Sequence, residues 1–270
     1  MKVAFSTLGC PGWSFEEIFA TAKDLGMDGI EIRGIGKEMY APKADIFLPN
    51  HIDSTIEKLK KANMTITMLT SGVTLADAAH KAENIQEAKD YIDLAAKLAC
   101  PNVRIMGTNK PEPENNADFE QMRDTYREIL DYAADKNVFP LLETNGVFSD
   151  SKVLADFIKE VDRENAFVLW DVHHPYRFFH ESAEETAKNL SGLVKYVHVK
   201  DSAISGGKIE YRMMGYGDVP VLDALKALNE GNSDITVSLE WVKRWQPDLS
   251  EPGIVFYHFA NYMQHLFKQL

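Results

Sequence analysis

The sequence predicts a single (β/α)8 TIM barrel occupying residues 1–270 as one domain, and three observations carry that expectation. Eight short β-branched or aliphatic runs alternate with stretches of helical spacing. The alternation repeats at roughly 34 residues per βα unit, the length that such barrels use. No Pro-, Gly- or Ser-rich linker and no shift in composition marks a domain boundary. Strands that are apolar on both faces and separated by helices belong to parallel sheets with right-handed crossovers. An open doubly wound sheet shares that pattern. However, the first run is followed by Leu8-Gly9-Cys10-Pro11-Gly12-Trp13, which lacks the G-x-G-x-x-G of a dinucleotide-binding turn.

In chain order, strands are expected at 3–8, 29–33, 64–70, 102–107, 138–144, 167–171, 195–200 and 235–240. Helices are expected near 14–25, 51–62, 80–98, 117–136, 151–161, 183–191, 220–230 and 252–268. The first helix has the clearest ends: Ser14-Phe15-Glu16-Glu17 reads as a capping box and Gly26 as a left-handed stop. In the last helix, Phe256, Tyr257, Phe259, Tyr262 and Leu266 recur at helical spacing. That stripe packs the helix on the barrel, or part of it serves a homo-oligomer interface; a companion subunit is a further option.

Composition narrows the functional classes. Lys and Arg number 29 against 41 Asp and Glu, a net charge of −12 with a pI near 5.1. So acidic a chain is a poor partner for nucleic acid, which needs clustered Lys and Arg. No apolar stretch approaches the roughly 18 to 20 residues of a membrane span. The apolar run at 3–8 is too short for a signal peptide. Cys10 and Cys100, the only two cysteines, cannot build a disulfide framework and point to a reducing compartment, so the cytoplasm is expected. Cys10 has no base beside it in sequence and is not expected to be a nucleophile.

In a barrel, chemistry sits at the C-terminal ends of the strands. Four successive strands end on residues able to ligate a metal: Glu143 in LETNG, Asp171 in WDVHHPY, His198 in VHVKD and Glu240 in SLEW. Three carboxylates on one rim would repel one another without a compensating cation. Three carboxylates and one imidazole suit one divalent ion, Mn²⁺ first, with Mg²⁺, Co²⁺ or Zn²⁺ as alternatives.

These motifs, with Gly215-Tyr216-Gly217-Asp218-Val219, Gly29-Ile30-Glu31-Ile32-Arg33 and Val103-Arg104-Ile105, resemble those of the xylose-isomerase-like barrel superfamily of sugar isomerases and epimerases. The resemblance covers essentially the whole chain. It implies that Glu143, Asp171, His198 and Glu240 hold the ion, that both glutamates move protons and that His174 binds substrate oxygen. The ketose 3-epimerases of that superfamily carry an arginine shortly after the strand-seven histidine. This chain has Ala203-Ile204-Ser205-Gly206-Gly207 there, with Arg212 as the available substitute.

The same constellation suits proton abstraction beside a carbonyl. A divalent ion stabilises the enediolate, and two carboxylates on opposite sides invert the centre. Glu143 and Glu240 are assigned as the acid/base pair, and Asp171 and His198 as the remaining ligands. His174, Lys200 and Arg212 are assigned to bind substrate, and Trp241 to line the pocket, with Trp13 and Trp245 as further wall or packing residues. The expected substrate is a small, unphosphorylated sugar or polyol. Asp201 is expected to hold the loop that follows it, and 201–217 to be a lid or a mobile loop. Arg33 and Arg104 are expected in salt bridges, or on an anionic group.

Two other readings compete. A lyase or dehydratase, of the inosose dehydratase type or eliminating from 3-keto-glycosides, uses the same carbanion chemistry. A non-catalytic sugar-binding barrel would have no need of two glutamates. A three-zinc endonuclease is disfavoured because strands three and four offer Thr70-Ser71 and Met106-Gly107 in place of histidines.

Overall fold

The computed structural model describes residues 1–113, 117–229 and 234–270. The strands are β1 (Lys2–Ser6), β2 (Gly29–Ile32), β3 (Thr65–Thr74), β4 (Asn102–Met106), β5 (Phe139–Glu143), β6 (Phe167–Asp171), β7 (Val194–Val199), β8 (Asp201–Ser205), β9 (Lys208–Arg212) and β10 (Thr236–Leu239). Eight of them close into one parallel barrel in the order β1-β10-β7-β6-β5-β4-β3-β2, and β8 pairs with β9 alone. The interleaved helices are α1 (Phe15–Asp24), α2 (Ile52–Lys61), α3 (Lys81–Lys97), α4 (Phe119–Ala133), α5 (Ser151–Val161), α6 (Ala183–Asn189), α7 (Val221–Asn229) and α8 (Pro252–Leu266). The expected (β/α)8 barrel is the fold. Residue 230, the end of the expected seventh helix, lies outside the described residues.

By contact density the chain forms two compact units, Met1–Thr67 with His198–Leu270, and Met68–Val197. In the first, β1 pairs in parallel with β10 (Val3 opposite Val237) and with β2 (Ser6 opposite Glu31). Phe5 stacks on Phe256 of α8 at 4.0 Å between ring centroids, so part of the aromatic stripe on the last helix packs inward. Tyr257 and Ile254 of the same helix stay exposed. Ser14 and Glu17 close the capping box that starts α1, and Gly26 beyond it has φ +67. Gly29 has no alternative: a Cβ there would stand 2.5 Å from the Thr65 carbonyl oxygen.

In the second unit, β4, β5 and β6 pair in register, with Arg104 opposite Leu141 and Leu142 opposite Val168. Met68, Leu141, Leu169 and Tyr196 form a fully buried cluster. Side chains alternate across a strand. Residues two positions beyond Leu141 and Leu169, Glu143 and Asp171, therefore share their interior face. Burying each such side chain contributes about 1.5–3 kcal/mol, and this apolar layer fixes which face the polar strand ends present.

The segment expected as a lid or mobile loop is a β-hairpin. Ser202 faces Tyr211 and Ile204 faces Ile209 in an antiparallel pair that turns at Gly206-Gly207, both with positive φ. Glycines and alternating polarity fit a two-stranded turn as well as an open loop, and only the pairing decides between them.

Candidate metal centre

In the first unit, four ionisable side chains form a buried line. His198 has no exposed surface; its Nε2 lies 2.9 Å from Oε2 of Glu31, and its Nδ1 lies 3.6 Å from Oε1 of Glu240. The second oxygen of Glu240 accepts a 2.5 Å hydrogen bond from Lys200 Nζ. The Glu240 backbone N–H donates to the Val199 carbonyl at 3.0 Å. Full burial works to raise the Glu31 pKa, but the charge and hydrogen bond of His198 outweigh it and hold the carboxyl below its ordinary range.

In the second unit, Glu143 accepts from Arg104 Nη1 at 3.3 Å, while Arg104 Nη2 donates to the Ser71 carbonyl at 2.9 Å. Of the two fates open to Arg104, the salt bridge is the one found. Asp171 is fully buried; one of its oxygens accepts from the His173 backbone N–H at 2.9 Å, and the other lies 3.8 Å from His174 Nε2. His174 places Nδ1 2.9 Å from the Thr144 carbonyl, which calls for a proton on Nδ1 and leaves Nε2 turned toward Asp171. Thr144 Oγ1 accepts from the Asp171 backbone N–H at 2.8 Å and ties strand ends β5 and β6 together.

Two groups of acidic and histidine side chains, each wholly buried, could hold a metal ion among the described residues: Glu143, Asp171, His198 and Glu240; and Asp171, His173 and His174. The donor set of the first, three carboxylates and an imidazole, suits a hard or borderline divalent ion.

The remaining sequence candidates divide. Lys200 is buried at 2% exposure and bonded to Glu240. Trp241 is buried, and its indole N–H donates to the Ser250 carbonyl at 3.0 Å, so it packs in the core. Trp245 is 58% exposed, with the Arg33 guanidinium 5.9 Å above its ring. Arg212 stands exposed on β9 with its guanidinium on Glu210, because alternation along that strand turns Glu210 and Arg212 to the same outer face. Asp201 holds the loop as expected, accepting from the backbone N–H groups of Ser202, Gly215, Gly217 and Val219. A Cβ on Gly217 would stand 2.1 Å from Asp201 Oδ1, so that turn requires glycine. Burial pushes the Cys10 thiol well up, in keeping with an inert cysteine.

Sequence reasoning missed Glu31 and His173 as members of this polar interior. The signal for Glu31 was present, an acidic residue inside the otherwise apolar run Gly29–Ile32. His173 offered none, since a histidine beside a strand end is as readily a core residue.

A family model described as the xylose isomerase-like TIM barrel matches residues 19–256. The chain belongs to this family. No curated protein matches it in sequence. Among solved structures, the D-psicose 3-epimerase of Clostridium cellulolyticum H10, crystallised with D-tagatose, superposes with a TM-score of 0.77 at 16% identity, over 98% of this chain and 99% of that one. The probable 3-DHS dehydratase AsbF of Bacillus anthracis gives 0.78 at 17% identity, over 98% and 99%. The IOLI protein with a binding zinc atom gives 0.77 at 19%, over 97% and 96%. At these identities the likeness is one of fold. Epimerases, a dehydratase and a zinc-binding protein share the barrel, and no helix among the described residues is long and apolar enough to cross a membrane.

Proposed function

We propose that the protein is a metal-dependent isomerase or epimerase of a small sugar or polyol, with Glu143, Asp171, His198 and Glu240 holding one divalent ion, Mn²⁺ in preference to Mg²⁺, Co²⁺ or Zn²⁺. One observation carries the reading. β5, β6, β7 and β10 are consecutive in the closed barrel, and each carries one of these four buried side chains at or next to its C-terminal end. Charge supports it. Arg104 pairs with Glu143, Lys200 pairs with Glu240, and a divalent cation suits an interior that buries Glu31 and Asp171 as well.

When bound, the ion supplies Lewis-acid polarisation of a carbonyl and its neighbouring hydroxyl, which acidifies the C–H between them. Glu143 and Glu240 come from the two ends of the four-strand arc, so one takes the proton and the other returns one to the opposite face. Arg104 and Lys200 pair with these carboxylates and hold them in place. Asp171 and His198 complete the ligand set, and His174 binds a substrate oxygen through Nε2, a role supported by the contact of its Nδ1 with the Thr144 carbonyl.

One feature favours β-elimination as the second reading. Arg212, the candidate to replace the epimerase arginine, is turned outward onto Glu210, which removes the contact expected to hold a free ketose.

Elemental analysis of wild type and His198→Ala tests the first reading, with about one divalent ion per chain expected in the wild type and its loss in the variant. Ketoses incubated with the loaded enzyme in deuterated water should then take up deuterium beside the carbonyl. Absence of any ion after incubation with Mn²⁺, Co²⁺ or Zn²⁺ removes the isomerase and the lyase together. Exchange accompanied by loss of water from the substrate selects the lyase.

A further inference from the structure

We propose that Glu31 is a positioning residue: its carboxylate holds His198 as the Nε2–H tautomer and thereby presents Nδ1 to the divalent ion. The inference rests on the metal-dependent reading above, and β2, β7 and β10 supply its evidence. Glu31 and His198 are both without exposed surface, and Nε2 sits 2.9 Å from Glu31 Oε2. An ionised carboxylate only accepts, so this contact calls for a proton on Nε2. The opposite ring nitrogen faces Oε1 of Glu240 at 3.6 Å, too long for a hydrogen bond. That edge of the imidazole is therefore directed at another proposed ligand. The second oxygen of Glu240 is taken by Lys200, which leaves Oε1 as the oxygen on the His198 side.

The backbone makes this arrangement rigid. Glu31 is paired opposite Ser6 in the β1–β2 ladder. Two residues earlier, Gly29 lies so close to the Thr65 carbonyl that no side chain fits. β2 therefore stands in one place, and the carboxylate arrives at His198 already aimed. A histidine that ligates a metal commonly donates its other N–H to a carboxylate, which sets the tautomer and raises ligand basicity.

Two neutral replacements separate this role from a merely structural ion pair. Glu31→Gln keeps an oxygen that can accept from Nε2–H, and Glu31→Leu keeps none. Dissociation constants for Zn²⁺ and Mn²⁺ alone, measured by chelator competition, are expected to weaken about 10- to 100-fold in Glu31→Leu, with much of the loss recovered in Glu31→Gln. A long-range ¹H–¹⁵N spectrum of zinc-loaded wild type, labelled at histidine, is expected to place the His198 proton on Nε2. A proton on Nδ1 overturns the proposal. So does a Glu31→Leu variant that binds metal as tightly as wild type; the wild-type spectrum stands even if that variant fails to fold. Wild type that binds no ion overturns this proposal and the metal-dependent reading together. Wild type that binds one ion, with affinity indifferent to residue 31, overturns this proposal alone.

Discussion

Lys200–Glu240 and Arg212–Glu210 are both cation–glutamate pairs whose cations stand twelve residues apart on the chain, and the sequence marks both cations as substrate binders. The strand-end pair is buried, with side-chain exposures of 2% and 7%, whereas the hairpin pair is nearly half exposed, at 45% and 46%. Burial changes what a pair is worth. Two charges removed from water depend on each other, and losing one strands the other, while an exposed pair is screened and contributes little. The rim is thus a place where each charge must be accounted for, and the hairpin is a place where charge is nearly free.

The largest expected effect follows from that contrast. Glu240→Gln keeps the side chain's shape but removes the carboxylate proposed to move the proton and leaves buried Lys200 without its counter-charge, so kcat should fall about 10²- to 10⁴-fold in solvent-deuterium exchange while Tm drops and the barrel still folds. Unchanged exchange removes Glu240 from the acid/base pair. Next comes the direct comparison of cations. In metal-free protein, Lys200→Met should cost about 3–5 kcal/mol in denaturant unfolding by leaving Glu240 buried and uncompensated. Arg212→Ala should stay within about 0.5 kcal/mol and leave turnover unchanged. Equal costs for the two would break the comparison.

The smallest effect lies on the outer surface. Glu17 is held below the ordinary carboxylate value of 4.5 by hydrogen bonds with the Ser14 backbone and hydroxyl. A lowered folded-state pKa adds stability that is fully present above the ordinary value and fades as pH falls through the lower one. Tm measured against pH should therefore show a slightly shallower acid limb in Glu17→Gln, with helix α1 retained. A steeper limb would contradict the sign.

Much of this was legible in the residues themselves. The short β-branched or aliphatic runs and the helical spacing between them placed every barrel strand to within a few residues, and Phe167–Asp171 and Ser151–Val161 to the residue. The capping box at Ser14 was readable because it is a local exchange of hydrogen bonds over three residues. The four candidate ligands were readable because a charged residue closing an apolar strand is out of place unless it faces a site.

Other features depended on partners distant in sequence. The hairpin at Asp201–Arg212 depends on which strand pairs with which, and its glycines suit a loop equally well. The outward turn of Arg212 follows from that pairing. The salt bridge of Arg104 required knowing that β4 and β5 are neighbours, and the tie from the Trp241 indole to Ser250 required the return of the chain after β10. Glu31 meets His198 across 167 positions of sequence, a separation over which no local pattern carries information. The sequence by itself determined the barrel, its alternation and the residue types at its strand ends, because these follow from local periodicity and burial. The tertiary structure alone decided which charge meets which, because a buried charge takes its role from the neighbour that compensates it.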